Sequence, residues 1–133
     1  VIMLDLNVLL DVLQKRERHY RVSAAVLEQV LRGDKEGAIS AHAATTVYYL
    51  VARYADRTSA DQALSWLLQH LHVCAVGRVE LERAQSLGWA DFEDAVVAAT
   101  AERAGCTSVI TRNVKDFAGS PVTVLTPQEF LLR

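Results

Sequence analysis

Blocks of apolar residues alternate with amphipathic stretches along the chain, and they read in turn as strands and helices. Val1–Asp5 is a short β-type apolar run, and Asn7 with the apolar residues after it opens a short helix. Lys15-Arg16-Glu17-Arg18 makes a polar break. Tyr20–Leu31 then carries apolar residues at helical spacing (Val22, Ala25, Val26, Val30), and Gly33 closes it. Ala38-Ile39-Ser40 predicts a second strand, followed by a long helix through Tyr54. Thr58-Ser59-Ala60-Asp61 reads as a helix start, with Ala63, Leu64, Leu67, Leu68 and Leu71 as its apolar stripe.

The second half repeats the alternation. His72–Val76 predicts a third strand, and a helix from Val79 to Leu87 ends at Gly88. Asp91 to Ala104 is helical and stops at Gly105. Ser108–Thr111 and Pro121–Leu125 are the last two strands, and Thr126-Pro127-Gln128-Glu129 is a capping box with proline in the first turn. Such alternation predicts an α/β fold, a three-layer α/β/α sandwich around a mostly parallel five-stranded sheet. No repeat or linker divides the 133 residues, so one domain, 1–133, is expected.

Sheets of this type bind ligands beyond the carboxyl ends of their strands. Asp5 ends the first strand, Thr111 ends the fourth, and Asn113 and Asp116 lie in the loop after it. Asp94 falls in the first turn of the helix leading to that strand, three residues after Asp91 and on the same face. Several carboxylates at one rim are unfavourable unless a cation sits among them. Each also has a plainer reading. Asp91 is well placed as an N-cap, and Asp5 and Asp116 suit turns. Glu93 is expected to point away into solvent, and Asp11 to be an exposed helical residue.

Composition narrows the classes. Hydrophobic residues make up 51% and charged residues 23% of the chain, as in a globular domain, and no segment is apolar enough to span a membrane. The net charge of −2 argues against coating nucleic acid by bulk electrostatics. Cys74 and Cys106 lack metal-ligand spacing and read as buried thiols, which with the absence of a signal-like start suggests a cytoplasmic setting. His19, His42, His70 and His72 form no triad pattern, and Tyr48 and Tyr49 suit packing. Asp5-Leu6-Asn7 also brings a haloacid-dehalogenase-like phosphatase to mind, but that chemistry needs an aspartate where Asn7 stands.

Three segments carry a more specific likeness: Leu4-Asp5-Leu6-Asn7-Val8-Leu9-Leu10, Asp94-Ala-Val-Val-Ala-Ala-Thr-Ala, and Thr111-Arg112-Asn113-Val114-Lys115-Asp116-Phe117. In order and spacing the chain resembles the PIN domain family, which includes VapC-type ribonucleases. The resemblance implies strand order 3-2-1-4-5 and an Mg²⁺- or Mn²⁺-dependent ribonuclease that hydrolyses RNA with metal-activated water. It implies Asp5, Asp94 and Asp116 as catalytic metal-binding acids, with Asp91 as a further contributor. Asn7, Thr46, Thr111 and Asn113 would be supporting polar groups; Arg112 is a candidate phosphate contact, with a solvated surface position as its plainer reading. A homodimer and a cognate antitoxin are the partners implied besides RNA. One departure stands out: many members carry glutamate where Thr46 falls, and a hydroxyl is a neutral, weak ligand for magnesium. The competing expectation is therefore a catalytically weak or inactive PIN fold that binds RNA or protein.

Overall fold

In a computed structural model that describes residues 1–133, β1 (Ile2–Leu4) runs through the centre of the sheet. All three of its residues are buried, as a strand covered on both faces requires. On one side lie β2 (Gly37–Ser40) and β3 (His72–Cys74), on the other β4 (Ser108–Ile110) and β5 (Thr123–Leu125). The order is β3-β2-β1-β4-β5 and every pairing is parallel. Met3 sits between Ala38 and Val109 in the register. The expectation of a mostly parallel sheet is thus met in full.

Helices cover both faces unequally. Ile2, Leu4, Ile39, Ile110 and Leu125 face one layer, made by α1 (Leu6–Leu13), α2 (Tyr20–Leu31), α3 (Ala41–Tyr54), α4 (Arg57–His70) and α7 (Pro127–Leu131). Met3, Ala38 and Val109 face α6 (Phe92–Ala104), which is in turn covered by α5 (Arg78–Leu87). This second layer buries α6 continuously from Ala95 to Ala101, so its small side chains let it lie close on the sheet. The alternation along β1 separates the two layers, since successive side chains point to opposite faces.

Two helix starts differ from the sequence expectation. α4 begins at Arg57, because the Asp56 carboxylate accepts from the Ser59 amide at 2.6 Å and caps the helix before Thr58. α1 begins at Leu6, with Asp5 rather than Asn7 as its N-cap. The second shift matters for the site, since it places Asn7 inside the helix with its side chain free for other work. The strands are also shorter than expected. β3 stops at Cys74 instead of Val76, and Asp5 and Thr111 fall just outside β1 and β4.

Strand order reverses around β1: the chain goes next to β2 on one side and later to β4 on the other. The loops leaving β1 and β4 therefore open a crevice at the carboxyl ends of the strands. No helix is long and apolar enough to cross a membrane.

Candidate active site

The crevice holds a cleft of about 150 Å³ lined by Asp5, Asn7, His42, Thr46, Glu93, Asp94 and Asn113, with apolar floor from Leu6, Ala43 and Val97. Four elements meet there: the end of β1 with the start of α1, the first turns of α3 and α6, and the loop after β4.

Asp5 is buried, with 5% of its surface exposed. Its Oδ1 accepts from the Leu6 amide at 2.8 Å and its Oδ2 from the Thr111 hydroxyl at 2.7 Å. Burial raises its pKa above the usual carboxylate value. The Thr111 and Leu6 donors work against that, and the charges of Asp91 and Glu93 add to it. Thr111 is itself fully buried and acts as a junction. While donating to Asp5, its oxygen accepts from Asn7 Nδ2 at 3.4 Å and from the Asn113 amide at 3.1 Å. The β1 and β4 ends are thereby tied together across the switch point.

Asp94 faces Asp5 from α6 and is half-buried. Its pKa is pushed up to about 7, first by burial and then by the charges of Asp5, Asp91, Asp116 and Glu93. Asp91 caps α6, its Oδ1 accepting from the Asp94 amide at 3.1 Å. The plain N-cap reading therefore holds, while its charge still acts on both Asp5 and Asp94. Asp116 sits on a short 3₁₀ helix, Val114–Phe117, exposed and outside the cleft lining, though close enough for its charge to be felt at Asp94. Phe117 anchors that turn from beneath, edge-on to Trp89 at 5.5 Å between ring centroids.

Thr46 does line the cleft, with its hydroxyl donating to the His42 carbonyl at 3.2 Å. His42 and Glu93 were not expected here. Glu93 is exposed, as expected, yet its Oε1 lies 2.6 Å from His42 Nε2 and both residues line the cleft. The position of His42, one helical turn before Thr46 on the same face, was the available clue.

Asp11 departs furthest from expectation. It is fully buried rather than exposed, because Arg112 reaches it with Nε at 2.8 Å and a terminal nitrogen at 3.0 Å. Arg112 was a candidate phosphate contact. Its guanidinium is turned onto Asp11 instead, with 24% of the side chain exposed. Cys106 is buried and Cys74 half-buried, and burial raises both thiol pKa values, as expected of unreactive thiols. Tyr48 packs partly and donates to Asp61, whereas Tyr49 is largely exposed.

The donors offered to the cleft are carboxylate, hydroxyl and amide oxygens with one imidazole, a set suited to a hard divalent cation. No three acidic, imidazole or thiol side chains already stand together as a closed ligand set. The charge balance nevertheless fits a cation: burial first and neighbouring negative charge second raise the pKa of both Asp5 and Asp94, and a positive ion favours the charged form of each.

Comparison with known proteins follows the same lines. The chain is 26% identical over 137 residues to Ribonuclease VapC1 of Aquifex aeolicus (strain VF5), spanning 99% of this chain and 94% of that protein. A toxin–antitoxin complex from Klebsiella pneumoniae contains a chain of the same fold, with TM-score 0.73, 27% identity, and 96% of this chain and 98% of that one covered. VapBC-1 from nontypeable Haemophilus influenzae also superposes with TM-score 0.73 over 96% and 98% of the two chains, at 15% identity, a likeness of fold alone. The PIN domain family model matches residues 1–115, a span that takes in Asp5, Asn7, Thr46, Asp91, Asp94, Thr111 and Asn113 and stops one residue short of Asp116. The chain belongs to the PIN domain family.

Proposed function

We propose that this protein is an endoribonuclease that hydrolyses RNA phosphodiester bonds with Mg²⁺ or Mn²⁺, and that it is the toxin of a toxin–antitoxin pair. One observation carries the reading: Asp94 lines one small cleft together with Asp5 and Glu93, and burial with the neighbouring acidic charges pushes its pKa up to about 7. Carboxylates gathered in one cleft at a cost in burial and charge repulsion are explained by a cation that binds them. Asp5 and Asp94 would hold it, with Asp116 and Asp91 contributing charge from the rim. When bound, the ion supplies charge neutralisation at the phosphate and activation of water.

The chain's own groups prepare the rest. Thr111 fixes the rotamer of Asp5 by donating to Oδ2. Asp94, in its charged form, would accept a hydrogen bond from the attacking water and so orient it. Asn7 and Asn113 offer neutral donors to phosphate oxygens, which suits a polyanion beside an already acidic pocket. The ribonuclease name of the Aquifex relative supports RNA as the substrate.

An antitoxin partner is supported by the Klebsiella chain's place in a toxin–antitoxin complex. A trough of about 1000 Å³ lined by Leu13, Leu50, Val51, Tyr54 and Trp66, away from the cleft, offers apolar surface for it. Exposed Val79, Leu81 and Phe92 support the homodimer, which light scattering of the purified protein tests.

Thr46 favours a second reading, an inactive binding module, since it gives the cleft a hydroxyl where a further carboxylate would strengthen a cation site. The deciding experiment incubates the protein with single-stranded RNA and Mn²⁺, with and without chelator, alongside Asp94→Asn. Cleavage that stops with chelator and falls roughly a thousandfold in the variant is expected, since several kcal/mol of transition-state stabilisation are removed. No cleavage by the parent, with no rise in melting temperature at millimolar Mn²⁺, leaves the binding module.

A further inference from the structure

Asp11 and Arg112 have no part in the chemistry proposed above, yet their contact holds the most deeply buried acid in the molecule. Asp11 lies on α1 one turn beyond Asn7 and is fully buried. A carboxylate there is tolerated only with partners that satisfy it. Arg112 supplies a two-pronged contact, Nε to Oδ2 at 2.8 Å and a terminal nitrogen to Oδ1 at 3.0 Å. The Ser23 hydroxyl of α2 donates to Oδ2 at 2.9 Å, and Arg16 stands 3.8 Å away. Because the fork is planar, both bonds together fix the orientation of the guanidinium as well as its position.

Arg112 also stands between the two site residues of the β4 loop, Thr111 and Asn113. Its backbone amide donates to Asn7 Oδ1 at 3.4 Å. The loop is thus held to α1 at two heights, by Asn7 and by Asp11, and a segment held at two points cannot swing about either. What that restraint fixes is the Thr111 hydroxyl, 2.7 Å from Asp5 Oδ2, and the face that Asn113 presents to the cleft.

We infer that the buried Asp11–Arg112 pair is a positioning element, which locks the β4 loop onto α1 so that Thr111 holds the Asp5 carboxylate for its cation. Arg112 accordingly acts through Thr111 and Asn113 and does not touch the substrate. The effect on cation binding rests on the nuclease reading. The effect on the loop does not.

The test replaces both partners, Asp11→Leu with Arg112→Met, since removing a buried pair together spares the fold where removing one charge does not. In the metal-free protein the Arg112 and Asn113 amides should exchange with solvent at least about tenfold faster than in the parent, while Val109 and Ile110 in β4 keep their protection. Mn²⁺ affinity by calorimetry should fall roughly tenfold or more, as is usual when a group orienting a ligand is lost, and kcat should fall with KM for RNA unchanged. Parent-like amide exchange overturns the inference. So does a raised KM with a shallower salt dependence and parent-like Mn²⁺ affinity, which would make Arg112 a phosphate contact. Faster exchange in a protein whose parent form neither binds Mn²⁺ nor cuts RNA keeps the lock and rejects the nuclease. Should the double variant not fold, Arg112→Lys keeps the charge, loses the fork, and is read by the same amide exchange.

Discussion

The two walls of the cleft are built on opposite terms. On the α1 side, both oxygens of Asp5 are engaged by donors, and Thr111, Asn7 and the Asn113 amide complete a closed network. On the α6 side, Asp91, Glu93 and Asp94 crowd one helical turn, and every influence on the Asp94 carboxyl pushes its pKa upward. One wall is satisfied by the protein itself and the other awaits something from outside. The two walls thus prepare their acids differently: the fold fixes Asp5 in place with its own donors, whereas Asp94 is left among neighbours that only oppose its charge.

Thr111→Val is the sharpest way to break the satisfied wall. The substitution keeps the shape but leaves Asp5 Oδ2, Asn7 Nδ2 and the Asn113 amide without their shared partner, so thermal or denaturant unfolding should report a loss of about 1–3 kcal/mol. A loss under a few tenths would show that the network adds nothing to the fold.

The strained wall should reveal itself through pH. The folded-state pKa of Asp94 is about 7 against an ordinary 3.8, so the native state binds the extra proton in between. In metal-free protein this contribution to stability is fully present below pH 3.8, declines as pH rises toward about 7, and is flat above. Melting scans across that range should show the decline, and Asp94→Asn should flatten it. Millimolar Mn²⁺ at pH 8 should raise the parent's melting temperature and leave that of the variant nearly unmoved.

Asp91→Ala carries the smallest effect, because it acts on both sides of the comparison. Losing the cap costs about 1 kcal/mol in an ordinary helix, but here the same change removes a negative charge beside Asp94. Unfolding measured at pH 5 and pH 8 without metal should show the smaller penalty at pH 8, where Asp94 is ionised. Equal penalties would mean that the two charges do not interact.

Much of this was legible in the sequence. Apolar runs mark the five strands and their parallel direction, the PIN resemblance implies their order, and the carboxyl-end rule brings Asp5, Asp94 and Thr111 to one rim. What escaped was decided by distant partners. A charged residue on a short apolar helix reads as exposed, and nothing near Asp11 announces Arg112, which is 101 positions away in the chain. Glu93 is solvent-exposed as its helical spacing implies, but its contact with His42 of α3, 51 positions away, is likewise invisible in the local pattern. Periodicity reports which face of a helix is covered, and it is silent on polar groups covered by one another.

The bond between Thr111 and Asp5 spans 106 positions of sequence, and the pairing of β1 with β4 must precede it. Contacts of such long separation form late, after the loop entropy between them has been overcome. While the polypeptide is being synthesised, its first strand, with Asp5 attached, emerges long before its neighbour on that side of the sheet exists. The acidic rim is therefore a property of the folded sheet, and a chain in which β4 has not yet paired carries the acids without bringing them together.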